Sequence, residues 1–391
     1  MVFRPSRRIR ALASLSFALL LAACGSEYPQ TTFEPTTYFG RLQNSLFSNT
    51  FWWTIGILVL VEVLIVYFAY RYRERPGQPK PQQIHGNVKL EFLWTVIPAV
   101  IVLFLAIPTI RGIFEMQAPA SEEALVVEVV GHQWWWEFRY PQYGVSTANE
   151  VVLPRGRQVD FRMYSADVIH SFWIPRIGGK RDVNPQPRPA EGEGRRVNHL
   201  VYTPEEVGYF LGQCAEFCGA SHAIMRMGAV VVEPAEFEAW TAQMSTQPPA
   251  AAAAVRQDTL SARDTIGASQ VPAVAPAPAP VAQAAQPAPG SLEAQGKQLF
   301  TSKPCAACHT VKGVTGGMLG PNLTNFGARR YVGAGAKPNT QEWVEQWIRD
   351  PASLKPGALM PGAHTPGGGM GPTNLSDEEV RAIATYLRSL K

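Results

Sequence analysis

Cys214-Ala-Glu216-Phe-Cys218-Gly-Ala-Ser-His222-Ala-Ile-Met225 is the stretch from which the rest of the chain can be read. It places two thiols, an imidazole and a thioether on one short segment. Soft sulfur ligands with imidazole suit copper. A blue-copper site uses one Cys, two His and a weak axial Met. Here a second Cys lets two thiolates bridge two metals. His170, upstream in Asp167-Val-Ile-His170-Ser-Phe-Trp173, is the natural fourth strong ligand. Each copper would then take one His, with Met225 and the Glu216 main-chain oxygen as weak outer ligands. Charge shared over two sulfur-bridged ions keeps geometry nearly constant between redox states, which favours fast electron transfer. A structural zinc held by Cys214, Cys218, His222 and His170 is the alternative, since Cys2His2 is a common zinc set. Met225 and the carboxylate between the thiols are superfluous for zinc.

Around this loop, residues 118–245 change to a hydrophobic period of two. Gln158-Val-Asp160-Phe-Arg162-Met-Tyr164 alternates as a half-buried strand does. Ala124 to Val130, Trp134 to Tyr140 and Gly228 to Glu233 are rich in β-branched and aromatic residues, with Pro and Gly between the runs. A small antiparallel β-barrel or sandwich is expected.

Two runs before it are long enough to span a bilayer, which needs about 20 apolar residues. They are about Phe51 to Tyr70, with Glu62 as the one charge, and about Phe92 to Ile110, with none. Arg71, Arg73, Arg75, Lys80 and Lys89 lie between them, which puts that connection in the cytoplasm and everything after Ile110 outside. The chain starts with Arg4, Arg7, Arg8 and Arg10, an apolar stretch to Ala23, then Cys24-Gly-Ser. That pattern is a secretory signal. Its Leu-Ala-Ala-Cys24 end resembles a bacterial lipobox, which implies a lipid-modified Cys24 as the mature N-terminus.

After the β region, residues 246–290 are dominated by Ala, Pro and Gln and cannot bury a core. A disordered tether is expected, spanning about 37 Å as a flexible coil. Residues 291–391 then carry Cys305-Ala-Ala-Cys308-His309, the C-x-x-C-H pattern of c-type haem attachment. Met360, in Lys355-Pro-Gly-Ala-Leu-Met360-Pro, is the expected distal ligand, with Met318 and Met370 as rivals. Met/His ligation suits a high-potential electron carrier. Helices are expected over Ser291–Phe300, Gln341–Arg349 and Asp377–Leu390, the last capped by Ser376.

Composition narrows the class. Charged residues are 17% and net charge is +4, too little to argue nucleic acid. The five cysteines form a singlet and two close pairs. Each pair has a His just downstream, which a disulfide framework does not predict.

Four motifs in order carry a resemblance: E-F-L-W-T-V-I-P-A from Glu91, G-H-Q-W-W-W-E-F-R-Y from Gly131, D-V-I-H-S-F-W from Asp167, and the copper loop itself. From about residue 38 to 245 the chain resembles subunit II of cytochrome c oxidases of the binuclear copper A type. Residues 291–391 resemble class I cytochromes c, Gly320-Pro-Asn-Leu included, so the whole is similar to the fused subunits of caa-type oxidases. The resemblance implies a multi-domain fold. It comprises a signal peptide (1–23), a lipid-anchored N-terminus with a two-helix transmembrane hairpin (24–117), and an all-β cupredoxin-like Greek-key barrel (118–245). A disordered Ala/Pro-rich linker (246–290) and an all-α cytochrome c domain (291–391) complete it. It also implies site roles. His170, Cys214, Glu216, Cys218, His222 and Met225 bind copper. Cys305, Cys308, His309 and Met360 bind haem c. The Glu216 side chain reaches a magnesium ion at the boundary with subunit I. Trp134 receives electrons, and Glu91 sits at the mouth of a proton channel. The family's Lys-x-Asp stretch is present as Lys180 and Asp182, but residues 186–196 look inserted, so the arginine that meets haem propionates cannot be aligned between Arg195 and Arg196.

The implied function is electron input to a haem–copper terminal oxidase of the bacterial cytoplasmic membrane, with the copper and haem domains on the exterior face. Oxygen would be reduced to water in another subunit, with proton translocation. Subunits I and III are the implied partners, and cytochrome c or another respiratory complex the donor. The same input role for a nitric oxide reductase, and a copper-delivery or redox-carrier lipoprotein, remain as rivals. Residues 118–245 hold 11 basic and 16 acidic residues, and residues 291–391 hold 11 basic and 7 acidic, so the domains carry −5 and +4. Opposite signs favour their encounter.

Overall fold

The structure, a computed structural model, describes residues 29–77, 85–186, 197–245 and 287–391. The signal peptide, Cys24, Arg195, Arg196 and nearly all of the 246–290 linker lie outside the described residues.

Two long helices come first, α1 (Tyr38–Arg71) and α2 (Val88–Met116). Both have apolar windows with mean hydropathy above 2 that are not covered by the rest of the chain. A helix satisfies its backbone internally, so apolar side chains can face lipid all round. At 1.5 Å per residue α1 is about 51 Å long, well beyond the ~30 Å of a hydrocarbon core. The excess is its N-terminal end, which roots in the β domain. Thr37 caps that end by accepting from the Gly40 amide at 3.0 Å, and its hydroxyl donates to the Ile177 carbonyl. Thr36 N–H donates to the Arg176 carbonyl at 2.7 Å, and Arg41 pairs with Glu205 at 2.8 Å. The hairpin therefore grips residues 176–177, just past a strand that carries a candidate ligand.

The β domain has ten strands: β1 (Leu125–His132), β2 (Trp135–Tyr140), β3 (Val145–Ala148), β4 (Glu150–Pro154), β5 (Val159–Ser165), β6 (His170–Ile174), β7 (Gly178–Val183), β8 (Asn198–Tyr202), β9 (Gly208–Cys214) and β10 (Arg226–Val232). They form two five-stranded sheets, ordered β3-β2-β1-β5-β8 and β4-β10-β9-β6-β7. The pairings β1·β5 and β4·β10 are parallel and the others antiparallel, so the sheets are mixed where alternation alone suggested purely antiparallel pairing. Period-two residues of the first sheet, Leu125, Val127, Val129, Trp136, Phe138 and Phe161, line the core, where Phe172 of the second sheet packs on Trp136, Phe138 and Phe161, all fully buried. α3 (Pro234–Met244) closes one end and packs Phe237 and Trp240 on Tyr140.

The C-terminal domain is helical: α4 (Leu292–Ser302), α5 (Cys305–Cys308), α6 (Gln341–Arg349), α7 (Pro351–Leu354) and α8 (Asp377–Ser389). α8 starts with a reciprocal Ser376–Glu379 capping box. α4 crosses α8 at Gly296, where any Cβ would sit 2.0 Å from the Ala382 carbonyl oxygen. Phe300 packs on Tyr386 beside it, over a core of Val344, Ile348, Val380 and Ile383.

Candidate functional site

The copper loop runs from the end of β9 to the start of β10. Antiparallel pairing brings its two ends together: Cys214 N–H donates to the Met225 carbonyl at 2.8 Å. A cross-strand bond from Ala215 N–H to the Ser171 carbonyl, 2.9 Å, ties the loop to β6 and so to His170. Cys214, Cys218 and Met225 are buried, and both thiols are free. The two sulfurs lie 3.7 Å apart. His170 Nδ1 faces Cys214 Sγ at 3.9 Å, and His222 Nδ1 faces Cys218 Sγ at 3.6 Å. Met225 Sδ stands 3.8 Å from Cys218 Sγ, and the Glu216 carbonyl 3.2 Å from Cys214 Sγ. Ligand atoms of His170, Cys214 and Cys218 all fall within 4.8 Å of one another. Two sulfurs side by side, each with its own imidazole, fit two soft cations better than a single tetrahedral ion.

The surroundings set ionisation. Cys214 is pulled far below an ordinary thiol by the hydrogen bond from Cys218, helped by His170 and by backbone groups at Ser171 and Glu216. Cys218 is pushed up by the same shared bond and by burial. Cys214 is thus the thiol that ionises first. Burial works against a charged His170, but the bonds and charges of Asp167 and Cys214 together outweigh it and raise the imidazole above its usual range.

Several supporting residues lie inside the quoted motifs, where the sequence alone assigns them no role. Asp167 Oδ1 lies 2.9 Å from His170 Nε2, which leaves Nδ1 for a metal. Asp167 in turn accepts the Gln133 and Val168 amides at 2.6 Å each. Gly131 in β1 has no Cβ because one would lie 2.6 Å from the His170 ring.

Trp134 sits just before β2, half-buried, and donates its indole N–H to the Cys218 carbonyl at 2.9 Å. It packs against the β-domain core and also lies on the copper loop. The Glu216 and Phe217 side chains point outward, Phe217 being 73% exposed. Glu91 lies in the first turn of α2, where its carboxylate accepts the Asn87 amide at 3.2 Å. His132 and His199 face Glu137 at 3.3 Å and Asp160 at 2.8 Å. His364 is exposed.

In the C-terminal domain the free thiols Cys305 and Cys308 flank the single turn α5, and His309 follows in extended conformation. His309 Nδ1 lies 2.9 Å from the Pro321 carbonyl, which can only accept, so Nδ1 carries the proton and Nε2 is left for a metal. Gly320 presses on the ring, where a Cβ would meet it at 2.7 Å. Burial holds His309 below the usual imidazole range, hence neutral. Met360 is half-buried, whereas Met318 is 90% and Met370 40% exposed. Arg329 is 5% exposed with its Nε unpartnered, and Asn339 Oδ1 is also buried without a partner. Orphaned buried groups of this kind fit a domain built around a large polar-edged group.

Two apolar membrane helices, a cupredoxin-like domain with paired thiols and imidazoles, and a haem-attachment domain define a membrane-anchored electron-transfer protein with two redox sites. Three family models match in sequence: the transmembrane domain of cytochrome c oxidase subunit II over residues 37–111, its periplasmic domain over 144–233, and cytochrome c over 293–391. The cytochrome c oxidase subunit 2 of Alkalihalophilus pseudofirmus is 34% identical over 96% of this chain and 96% of its own length. That of Bacillus subtilis is 33% identical over 95% of each. A quinol oxidase subunit 2 of Bacillus spizizenii is 28% identical over 63% of this chain and 76% of its own. The chain belongs to the cytochrome c oxidase subunit II family, in the form fused to a C-terminal cytochrome c. It is the electron-input subunit of a haem–copper oxidase, a membrane protein with its redox domains outside the cytoplasm. The matched domains imply copper A in one and haem c in the other.

Proposed function

We propose that His170, Cys214, the Glu216 carbonyl, Cys218, His222 and Met225 hold the dinuclear copper, and that Cys305, Cys308, His309 and Met360 hold the haem. The observation that carries this is the pair of sulfurs 3.7 Å apart, each flanked by one imidazole Nδ1. When bound, the two groups supply one-electron carriers of nearly fixed geometry. The chain's own residues do the rest. Asp167 fixes the His170 tautomer and ring plane. Pro321 does the same for His309. Trp134, hydrogen-bonded to the Cys218 carbonyl, is the electron-input aromatic. The outward Glu216 carboxylate meets subunit I, where a magnesium ion fits an oxygen donor. Glu91 stands at the cytoplasmic start of α2, suited to a proton path in subunit I and to the proton translocation of such oxidases. Subunits I and III are the partners, and cytochrome c or another respiratory complex the donor. Cys24 carries the lipid, and the domain boundaries fall at 23, 117, 245 and 290.

Removing residues 291–391 from the chain within its oxidase tests the order of carriers. Oxidation of the membrane's own reduced donor should stop, while added soluble cytochrome c should reduce the copper of the shortened chain. Unchanged oxidation of the native donor would show that the haem domain is not the input.

A further inference from the structure

The haem domain rests on the copper loop through groups that neither cofactor needs. Lys355 opens the segment leading to Met360 and is 4% exposed. Its Nζ donates to the Gly333 carbonyl of its own domain at 2.9 Å and to the Ile224 carbonyl of the copper loop at 3.3 Å. Ser221, fully buried in that loop, donates its hydroxyl to the Pro356 carbonyl at 2.6 Å. Gly357, at φ +81°, lies flat on the Trp134 indole, where a Cβ would fall 2.6 Å from the ring. A second patch uses backbone. Arg226 N–H donates to the Ala334 carbonyl at 2.9 Å, and Arg330 N–H to Glu150 Oε1 at 2.9 Å, with Glu150 only 9% exposed.

A diffusive encounter between opposite charges leaves the charged rims solvated. This interface instead desolvates a lysine, a serine and a glutamate, and it uses carbonyl acceptors that carry no net charge. Buried donors and acceptors of this kind are costly to leave unmade. The contacts therefore hold one orientation.

We propose that Lys355 is the docking residue that seats the chain's own cytochrome domain on the copper loop, and that the seat closes the Trp134 face to any other donor. External electrons then reach the chain at the haem domain alone. The second half of this rests on the assignment of Trp134 as the electron-input aromatic.

The test uses the full chain, loaded and assembled in its oxidase, as wild type, Lys355→Met and Glu150→Gln. Hydrogen exchange reads the Arg226 and Arg330 amides, and the haem c and copper spectra check that both sites stay intact. Both amides should be protected in wild type. Lys355→Met should speed their exchange by on the order of tenfold, the factor for losing one buried hydrogen bond. Glu150→Gln, which touches neither set of ligands, should speed Arg330 in the same direction by less, and it answers the question if Lys355→Met does not assemble. Wild-type amides that exchange as freely as exposed loops would overturn the seat. Protection unaffected by Lys355→Met would remove Lys355 from the role. Soluble reduced cytochrome c should reduce copper directly in Lys355→Met but not in wild type. If exchange rises and direct reduction still fails, the seat stands and the assignment of Trp134 falls.

Discussion

Asp167→Asn isolates the positioning of a copper ligand from the ligand itself. The carboxylate accepts from His170 Nε2 at 2.9 Å and from two backbone amides at 2.6 Å. Asparagine keeps the size and one acceptor oxygen but loses the charge. A hydrogen bond to a charged group contributes roughly 1.5–3 kcal/mol. The Asp167 side chain is 32% exposed, so the lower end applies. At 1.4 kcal/mol per decade, copper affinity should fall about tenfold, inside the 10–100-fold range for groups that orient metal ligands. Chelator competition on the purified full chain reads it, with a thiol titration to confirm that Cys214 and Cys218 stay reduced. The visible spectrum of whatever copper remains should keep its shape. Unchanged affinity, or loss equal to that of His170→Ala, would refute the reasoning.

Three further outcomes follow from particular contacts. Glu137 is held down to about 2, burial opposing but bonds from His132 and Arg139 prevailing. Its folded value lies below the unfolded one near 4.5, so it stabilises above that pH by about 3 kcal/mol and the gain is lost as pH falls toward 2. Denaturant unfolding of Glu137→Gln should therefore differ from wild type at neutral pH and converge with it in acid. Gly131→Ala should cost about 1–3 kcal/mol by overpacking and should also weaken copper binding, because the new methyl meets the His170 ring; equal copper retention would contradict it. Met360→Ala should abolish the methionine-to-iron absorption band of the haem domain, while Met318→Ala and Met370→Ala leave it unchanged.

How much of this was visible in the sequence depends on the range over which each feature is specified. Helices with caps and a local period were readable: Gln341–Arg349 matches residue for residue, and Asp377 starts its helix behind Ser376 as expected. The membrane helices were underestimated at their ends. Hydropathy marks only the lipid-facing part, and the root of α1 is fixed by contacts with residues 176–177 distant in sequence. Strands such as β8 and β9 escaped because their alternation is interrupted by polar and glycine residues, and parallel pairing of β1 with β5 is a property of topology. The ligands themselves were legible because soft donors cluster in one loop. What orients them was not: Asp167, Gly131 and Gln133 are ordinary residue types until the fold brings them to His170 and Cys218. Opposite domain charges pointed to encounter and orientation of the two domains, and the described contact adds a buried lysine, serine and glutamate with several carbonyls, which net charge does not reveal.

A metal count with an electron-paramagnetic-resonance spectrum of the purified chain bears most directly on the paired-thiolate centre. Two coppers sharing one unpaired electron, alongside one covalent haem, are expected. One zinc, or a single copper of ordinary type, would contradict the assignment of Cys214 and Cys218 as bridging ligands.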